Sequence, residues 1–240
     1  MHTLLLPPEI LHASDDQILP EAQTHHLVTV LRAKQGEKLE LTDGNGYKRT
    51  AEISQLAKRF AAIHFTSEAW LVPAPAVEIV LFQCIAKPAR MDWLVEKAQE
   101  LGVKRLVPII SEYVQIKPKD SSVERWQRIA EAAVTQCSSG YLMKIDPAVR
   151  WSDALHLFKE QPVLFADLRE KKRTCSALVK QLEPPVKKIG ILVGPEGDFS
   201  PEELSQIIDC GAFPVTLGSN ILRVETAAIY SISAILDALA

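Results

Sequence analysis

Two glycine-containing loops near the C-terminus carry the residues best suited to bind a small molecule. The first contains Gly194-Pro195-Glu196-Gly197, and the second runs from Leu217 through Gly218 to Leu222. Each loop follows an apolar segment and precedes a predicted helix. Glycine lets the backbone approach a ligand closely and leaves N–H and C=O groups free to bind it. Because α/β proteins form ligand crevices at strand ends, we predict a binding site between these loops.

The loops do not match the common nucleotide-binding motifs. The glycines of the first loop are not spaced as G-x-G-x-x-G, and the chain has no G-x-x-x-x-G-K-[ST] segment. A nicotinamide-dependent dehydrogenase and a P-loop nucleotidase are therefore disfavoured. Leu217, Ile221 and Leu222 surround Gly218 in the sequence. These apolar side chains would suit an adenine ring that is recognised by backbone groups.

Charged residues follow both loops at predicted helix starts. Ser200, Pro201 and Glu203 match a capping box, so we expect them to stabilise a helix rather than to act in catalysis. Glu225 lies in the first turn of the next helix, where the helix dipole favours an acid. Arg223 opposes that dipole, and its position therefore favours a functional role.

Residues 1–72 differ in character from the rest of the chain and predict a small antiparallel barrel. Residues 38–42 alternate polar and apolar side chains and precede the turn Asp43-Gly44-Asn45-Gly46, which is typical of a hairpin. Strands are predicted over residues 47–53 and 60–65, and a helix over residues 21–31. The proline-rich segment around residues 71–76 predicts a linker.

Residues 73–240 alternate predicted strands and helices, which indicates a mostly parallel sheet with helices on both faces. The predicted strands are 77–85, 105–110, 162–166 and 188–193, and the predicted helices are 91–101, 123–137 and 227–240. The last helix is apolar nearly all round, with Ile229, Ile232, Ile235, Leu236 and Leu239. We expect one side to meet the core and another, including Ile232, to be covered in a homodimer.

Composition bounds the remaining possibilities. The chain has 240 residues, 47% of them hydrophobic, and a net charge of −3, so it has no global signature of nucleic-acid binding. A basic stretch could bind RNA locally or could be an ordinary solvated surface; it comprises Lys87, Arg90, Lys97, Lys104, Arg105, Lys117 and Lys119. The four cysteines lack metal-ligand spacing, so no metal site is expected. No signal peptide or membrane-spanning run is present, which predicts a cytoplasmic protein without membrane association.

Several motifs together resemble a known family. They are Gly194-Pro195-Glu196-Gly197, Leu217-Gly218, Leu222-Arg223-x-Glu225-Thr226, Arg90-Met91-Asp92, Glu100-Leu101-Gly102-Val103, Gln136-Cys137, and His26-Leu27 with Val30-Leu31-Arg32. This set resembles the 16S ribosomal RNA methyltransferases that modify uracil at N3 (RsmE type), within the SPOUT superfamily. The resemblance implies an α/β domain with a parallel sheet and a deep trefoil knot at residues 73–240. It also implies a PUA-like, RNA-binding β-barrel at residues 1–72.

The resemblance further implies an S-adenosylmethionine-dependent enzyme that acts on the RNA of the small ribosomal subunit. The predicted cofactor-binding residues are Leu192, Gly194, Pro195, Glu196, Gly197, Leu217, Gly218, Ile221, Leu222, Thr226 and Ala227. Arg223 and Glu225 are the predicted catalytic residues, and His26, Arg32, Lys87 and Arg90 are the predicted RNA-binding residues. The general base is left open. The alternatives are a non-catalytic RNA-binding adaptor and a methyltransferase of the same superfamily that acts on another RNA.

Overall fold

The computed structural model describes residues 1–115 and 120–239 and divides the chain into two compact units. Unit 1 contains Met1–Ala74 and Glu131–Leu142, and unit 2 contains Pro75–Ala130 and Met143–Ala240. Lys117 and Lys119 of the predicted basic stretch lie outside the described residues. Within the described ranges, no helix is both long and apolar enough to cross a membrane.

Unit 1 is built on a mostly antiparallel sheet. Its strands lie in the order β1 (His2–Leu5), β3 (Lys38–Thr42), β4 (Tyr47–Ala57), β5 (Phe60–Phe65) and β2 (Gln17–Ile18), and β6 (Trp70–Leu71) pairs with β4. The helical segments are α1 (Pro8–Leu11), α2 (Glu21–His25) and a π-helical turn over His26–Val30. The predicted hairpin is confirmed, because β3 and β4 pair in antiparallel register. The parallel pairing of β1 with β3 was not predicted.

The second segment of unit 1 packs against the turn of this hairpin. The backbone N–H of Gly46 donates to the carbonyl of Gly140 over 2.8 Å, and that of Leu142 donates to Gly44 over 2.8 Å. A Cβ on Gly46 would lie 2.6 Å from the hydroxyl of Tyr141, and its φ of +105° also favours glycine. The turn glycines therefore serve close packing as well as chain reversal.

Unit 2 contains a parallel sheet, as the alternation of strands and helices predicted. Its strands lie in the order β10 (Val149–Arg150), β8 (Arg105–Ile110), β7 (Glu78–Cys84), β12 (Lys188–Val193), β11 (Val163–Ala166) and β13 (Phe213–Val215), and β9 (Lys144–Ile145) pairs with β8. Its helices are α3 (Pro88–Glu100), α5 (Trp151–Phe158), α6 (Cys175–Val179), α7 (Pro201–Asp209) and α8 (Val224–Leu239). The helix α4 (Asp120–Cys137) begins in unit 2 and ends in unit 1.

Helices cover both faces of this sheet. Val80, Phe82 and Cys84 of β7 point into one core cluster, which also contains Phe158 of α5 and Ile207 of α7. Successive strand residues alternate between faces, so the intervening side chains of β7 belong to the other face. There α8 packs on β7 and β12, and α3 packs beside α8. The start of α7 has the capping box predicted from sequence.

The prediction that Ile232 lies on an uncovered side of α8 was wrong. Ile232 and Ile235 are both 0% exposed within unit 2, because they lie on the side of the helix that faces the core. The outward side carries Tyr230 and Leu239, which are 48% and 37% exposed, together with Ser233 and Asp237. The free surface of α8 is therefore more polar than the sequence suggested.

Candidate functional site

Three loops leave the same edge of the unit 2 sheet and enclose a cavity. Strand β11 pairs in parallel with both β12 and β13, so the carboxyl ends of these three strands are neighbours. The loops that follow β11, β12 and β13 contain residues 167–174, 194–200 and 216–223, respectively. The cavity between the loops has a volume of about 490 Å³. Its position agrees with the rule that ligands bind beyond the carboxyl ends of parallel strands.

Most of the predicted cofactor residues line this cavity. They are Gly194, Pro195, Glu196, Leu217, Gly218, Ile221, Leu222 and Ala227. Three others do not line it. Leu192 is fully buried in the core cluster, Gly197 lies against Tyr113, and Thr226 is on the exposed side of α8. A direct side-chain contact of Leu192 with a ligand is therefore disfavoured.

The two predicted loops use their glycines in different ways. A Cβ on Gly194 would lie 3.2 Å from the ring of Phe199, so glycine there permits close packing inside the loop. Gly218 has a φ of +109°, and a Cβ there would meet nothing within 4 Å. At Gly218 the requirement is thus conformational, because L side chains rarely adopt this backbone geometry. Its N–H donates to the hydroxyl of Thr216 over 3.3 Å.

The third loop is a wall of the cavity that sequence reasoning missed. Its lining residues are Ala166, Asp167, Leu168 and Lys171. The polar residue directly after the predicted strand 162–166 was a signal that could have identified it. Burial by itself would raise the pKa of Asp167, but hydrogen bonds donated by the side chain and backbone of Arg169 outweigh it and lower the pKa. Asp167 therefore remains a carboxylate at neutral pH.

The predicted catalytic residues occupy different positions. Arg223 is exposed and lines the cavity. Glu225 does not line it; its side chain is 14% exposed, and its Oε2 lies 3.8 Å from Nε of Arg90. Arg90 lines the cavity, and its Nη1 donates to Oε1 of Glu196 over 3.1 Å. Arg90 thus lies between two carboxylates at the edge of the cavity.

The predicted RNA-binding residues are divided between the units. His26 and Arg32 belong to unit 1, whereas Lys87 and Arg90 belong to unit 2. Burial, with nearby His2 and His25, lowers the pKa of His26. Because its ordinary pKa is about 6.5, His26 is mainly neutral at pH 7 and has little charge to offer a phosphate.

Part of the predicted basic stretch is already paired. Lys97 donates to Glu96 and Glu100, and Arg105 forms an ion pair with Asp146. These contacts reduce the charge that the stretch can offer to RNA.

Two of the four cysteines, Cys84 and Cys175, are buried. Burial raises the pKa of Cys84 to about 12, and burial also raises the pKa of Cys175. Both thiols stay protonated at neutral pH and are poor nucleophiles. Among residues 1–115 and 120–239, no group of three or more His, Cys, Asp or Glu side chains could hold a metal ion.

Comparisons with known proteins agree with this architecture. The family model of the RNA methyltransferase domain matches residues 73–236, and the family model of the RNA methyltransferase PUA domain matches residues 19–66. A ribosomal RNA small subunit methyltransferase E from Synechocystis is 30% identical over 240 residues, which cover 98% of this chain and 77% of the relative.

Solved structures resemble the whole chain. A ribosomal RNA small subunit methyltransferase E from Neisseria gonorrhoeae, bound to S-adenosyl methionine, is 30% identical with a TM-score of 0.87, covering 99% of this chain and 97% of that one. A methyltransferase from Legionella pneumophila in complex with the bound cofactor SAM is 27% identical with a TM-score of 0.87, covering 98% and 97%. The fold is thus a parallel α/β sheet preceded by a PUA-like domain. The chain belongs to the RNA methyltransferase family, with the ribosomal RNA small subunit methyltransferase E proteins as its relatives.

Proposed function

We propose that this protein transfers a methyl group from S-adenosylmethionine to N3 of a uridine in small-subunit ribosomal RNA. The observation that carries the proposal is the cavity at the carboxyl ends of β12, β11 and β13. Its volume of about 490 Å³ is in the usual range for small-molecule sites. The similar Neisseria and Legionella proteins were crystallised with this cofactor, which supports assigning it to the cavity.

The cavity residues suit the chemical groups of the cofactor. Leu217, Ile221 and Leu222 offer apolar surface for the adenine ring. Asp167 and Asp198 also line the cavity, and their carboxylates would favour the positively charged sulfonium and ammonium groups. Bound S-adenosylmethionine supplies an electrophilic methyl group, and the protein residues hold it in place.

Methylation at N3 requires the acceptor nitrogen to lose its proton. The N3–methyl bond forms as the sulfonium carbon–sulfur bond breaks, and the N3 proton passes to a base. We assign Arg223 to stabilise the negative charge that develops on the uracil, because it is exposed at the cavity. Glu225 is outside the lining, which favours a positioning role over direct proton removal. Alignment of donor and acceptor supplies the rest of the rate enhancement.

The domain roles follow from the same proposal. Residues 1–72 would bind RNA through the PUA-like unit, with His26 and Arg32 as candidate contacts, and residues 73–240 would form the methyltransferase domain. Strand β13 lies at the edge of the sheet, next to β11, whereas the helix α8 that follows it packs on β12 and β7 nearer the centre of the sheet. This crossing supports a deep trefoil knot around the cofactor loops. Lys87 is exposed next to the cavity loop that contains Glu196 and could contact RNA at the active site.

The proposed reaction predicts one product. The wild-type protein, incubated with methyl-labelled S-adenosylmethionine and small ribosomal subunits or their RNA, should yield 3-methyluridine at a single position. Nuclease digestion and mass spectrometry would identify the nucleoside and its site. Cofactor binding without any methylated nucleoside would favour a non-catalytic RNA-binding adaptor. A methyl group on ribose or on another RNA would favour a different methyltransferase.

The backbone conformation of Gly218 provides a test of the cofactor site. We expect Gly218→Ala to weaken S-adenosylmethionine binding roughly 5- to 150-fold, because a residue held at this φ costs about 1–3 kcal/mol and the loop shifts to relieve that strain. Gly211→Ala is the matched control, since Gly211 has a φ of +79° and open space but does not line the cavity. The Gly211→Ala variant should show a decrease in unfolding free energy similar to that of Gly218→Ala, but its affinity for S-adenosylmethionine, measured by calorimetry, should equal that of the wild type. Equal affinities for both variants would contradict the assignment.

Arg223 is expected to act on the reacting base rather than on the cofactor. Arg223→Ala should lower kcat by roughly 10²–10³-fold, the range for removing one group that stabilises developing charge, with little change in cofactor Kd. Arg128→Ala, an exposed arginine on α4, should leave both quantities unchanged. If cofactor affinity and turnover fell together, Arg223 would instead belong to the cofactor pocket.

We also propose a homodimer built on α3 and α8. Trp93 is 44% exposed on α3 and Tyr230 is 48% exposed on the neighbouring α8, which suits a self-complementary contact. Tyr230→Glu should produce a monomer at micromolar concentration in sedimentation experiments. Ile208→Glu is the control, because Ile208 is 54% exposed on α7, a helix of the other sheet face. A wild-type monomer would exclude this dimer.

A further inference from the structure

Arg90 connects three separate segments of unit 2. It lies in the first turn of α3, and its Nη1 donates to Oε1 of Glu196 over 3.1 Å. The backbone N–H of Lys87, just before α3, donates to the same oxygen over 3.2 Å. On its other side, Nε of Arg90 lies 3.8 Å from Oε2 of Glu225 in the first turn of α8. The start of α3, the loop after β12 and the start of α8 therefore meet at one guanidinium.

The burial of these groups makes the contacts more than surface ion pairs. The side chains of Arg90, Glu196 and Glu225 are 29%, 21% and 14% exposed. Partly buried charges are screened less by water and salt than exposed ones. A guanidinium can serve two carboxylates at once because its donors point in fixed, different directions.

One carboxylate oxygen of Glu225 depends on Arg90 for a nearby positive charge. Its Oε2 is buried and accepts no hydrogen bond from the described residues. A buried carboxylate oxygen is costly unless a cation or donor is close. Among the described residues, Arg90 is the cation recorded within ion-pair distance of it, so loss of Arg90 would leave this oxygen uncompensated and favour movement of the α8 start.

We propose that Arg90 is a positioning residue that holds the two cofactor loops in their binding conformation. This inference rests on the proposed function, since it assigns S-adenosylmethionine to the cavity. Glu196 belongs to the first loop, and Glu225 follows directly after the second loop, in which Gly218 and Leu222 line the cavity. We call the contacts of Arg90 with Glu196 and Glu225 the Arg90 tie; because they connect the two loops, they fix the distance between them. The guanidinium of Arg90 is engaged by carboxylates and does not serve primarily as a phosphate contact.

A double-mutant cycle tests the tie. We expect Arg90→Gln to weaken S-adenosylmethionine binding on the order of tenfold, Glu196→Gln to weaken it by no more than that, and the double variant to match Arg90→Gln, because the contact of Glu196 acts through Arg90. Arg90→Lys keeps the charge but cannot serve both carboxylates in the same geometry, so it should recover only part of the affinity. Titration calorimetry on the full-length protein measures these affinities, and thermal unfolding shows that each variant is folded.

Arg125→Gln is the matched control. Arg125 lies on α4 and forms a two-point ion pair with Asp92, which is on α3 like Arg90. Neither Arg125 nor Asp92 lines the cavity. This variant should keep the wild-type cofactor affinity, which separates loss of the tie from general loss of an arginine on this part of the fold.

RNA binding distinguishes the tie from a phosphate contact. If Arg90 bound a phosphate, Arg90→Gln would reduce the slope of log K against log salt by about one unit and leave cofactor affinity unchanged. That result, or fully multiplicative effects in the cycle, would overturn the proposal. Wild-type protein that binds no S-adenosylmethionine would instead overturn the proposed function. Normal wild-type binding with unaffected variants would overturn the tie alone.

Discussion

The parallel pairing of β11 with both β12 and β13 is the constraint on which the candidate site depends. The three strands run in the same direction, so their carboxyl ends lie side by side at one edge. A loop follows each strand at this edge, and the three loops enclose one cavity. A different strand order would separate the two glycine-containing loops, whatever their sequences. The register Leu164–Ile191 and Leu164–Phe213 therefore fixes the site as firmly as any side chain in it.

The return of α8 adds a second constraint. After β13 the chain forms the loop that contains Gly218 and then packs α8 across β12 and β7. Ile232 and Ile235 bury fully on that sheet face, which anchors the helix. The helix start is thereby held beside Arg90, so the packing of a remote apolar side determines the electrostatics of the cavity edge. Hydrophobic burial supplies the stability, and the ion pairs supply the local geometry.

The charges in the site have distinct surroundings. Asp167 keeps its charge because Arg169 donates to it, whereas His26 loses charge because burial and two neighbouring histidines disfavour its protonated form. Arg223 remains exposed at the cavity, and Arg90 is held by carboxylates. Residues of the same type thus have different chemical capacities. In the proposed reaction, the exposed Arg223 can interact with the negative charge that develops on the substrate, whereas the paired Arg90 holds the loops in place.

The sequence by itself determined many of the helices and strands and the chemistry of the loops, but it did not indicate α5 or α6. Strands 38–42, 60–65, 105–110 and 188–193 were predicted with the bounds that the structure has, because alternation and buried β-branched runs are local signals. The capping box at Ser200 was equally local. Sequence also predicted the parallel sheet and the two loops around the cavity. It did not predict which side of α8 is buried, since apolar residues surround that helix and only its neighbours distinguish Ile232 from Tyr230.

Only the tertiary structure decided which residues meet. The loop after β11 became a wall because of strand order, which depends on contacts between residues far apart in the chain. Leu192 is excluded from the cavity because its position on β12 directs it into the core. The partnership of Arg90 with Glu196 and Glu225 spans more than one hundred residues, and no local pattern encodes such a distance. Local periodicity fixes the secondary structure of this protein, and long-range packing fixes its site.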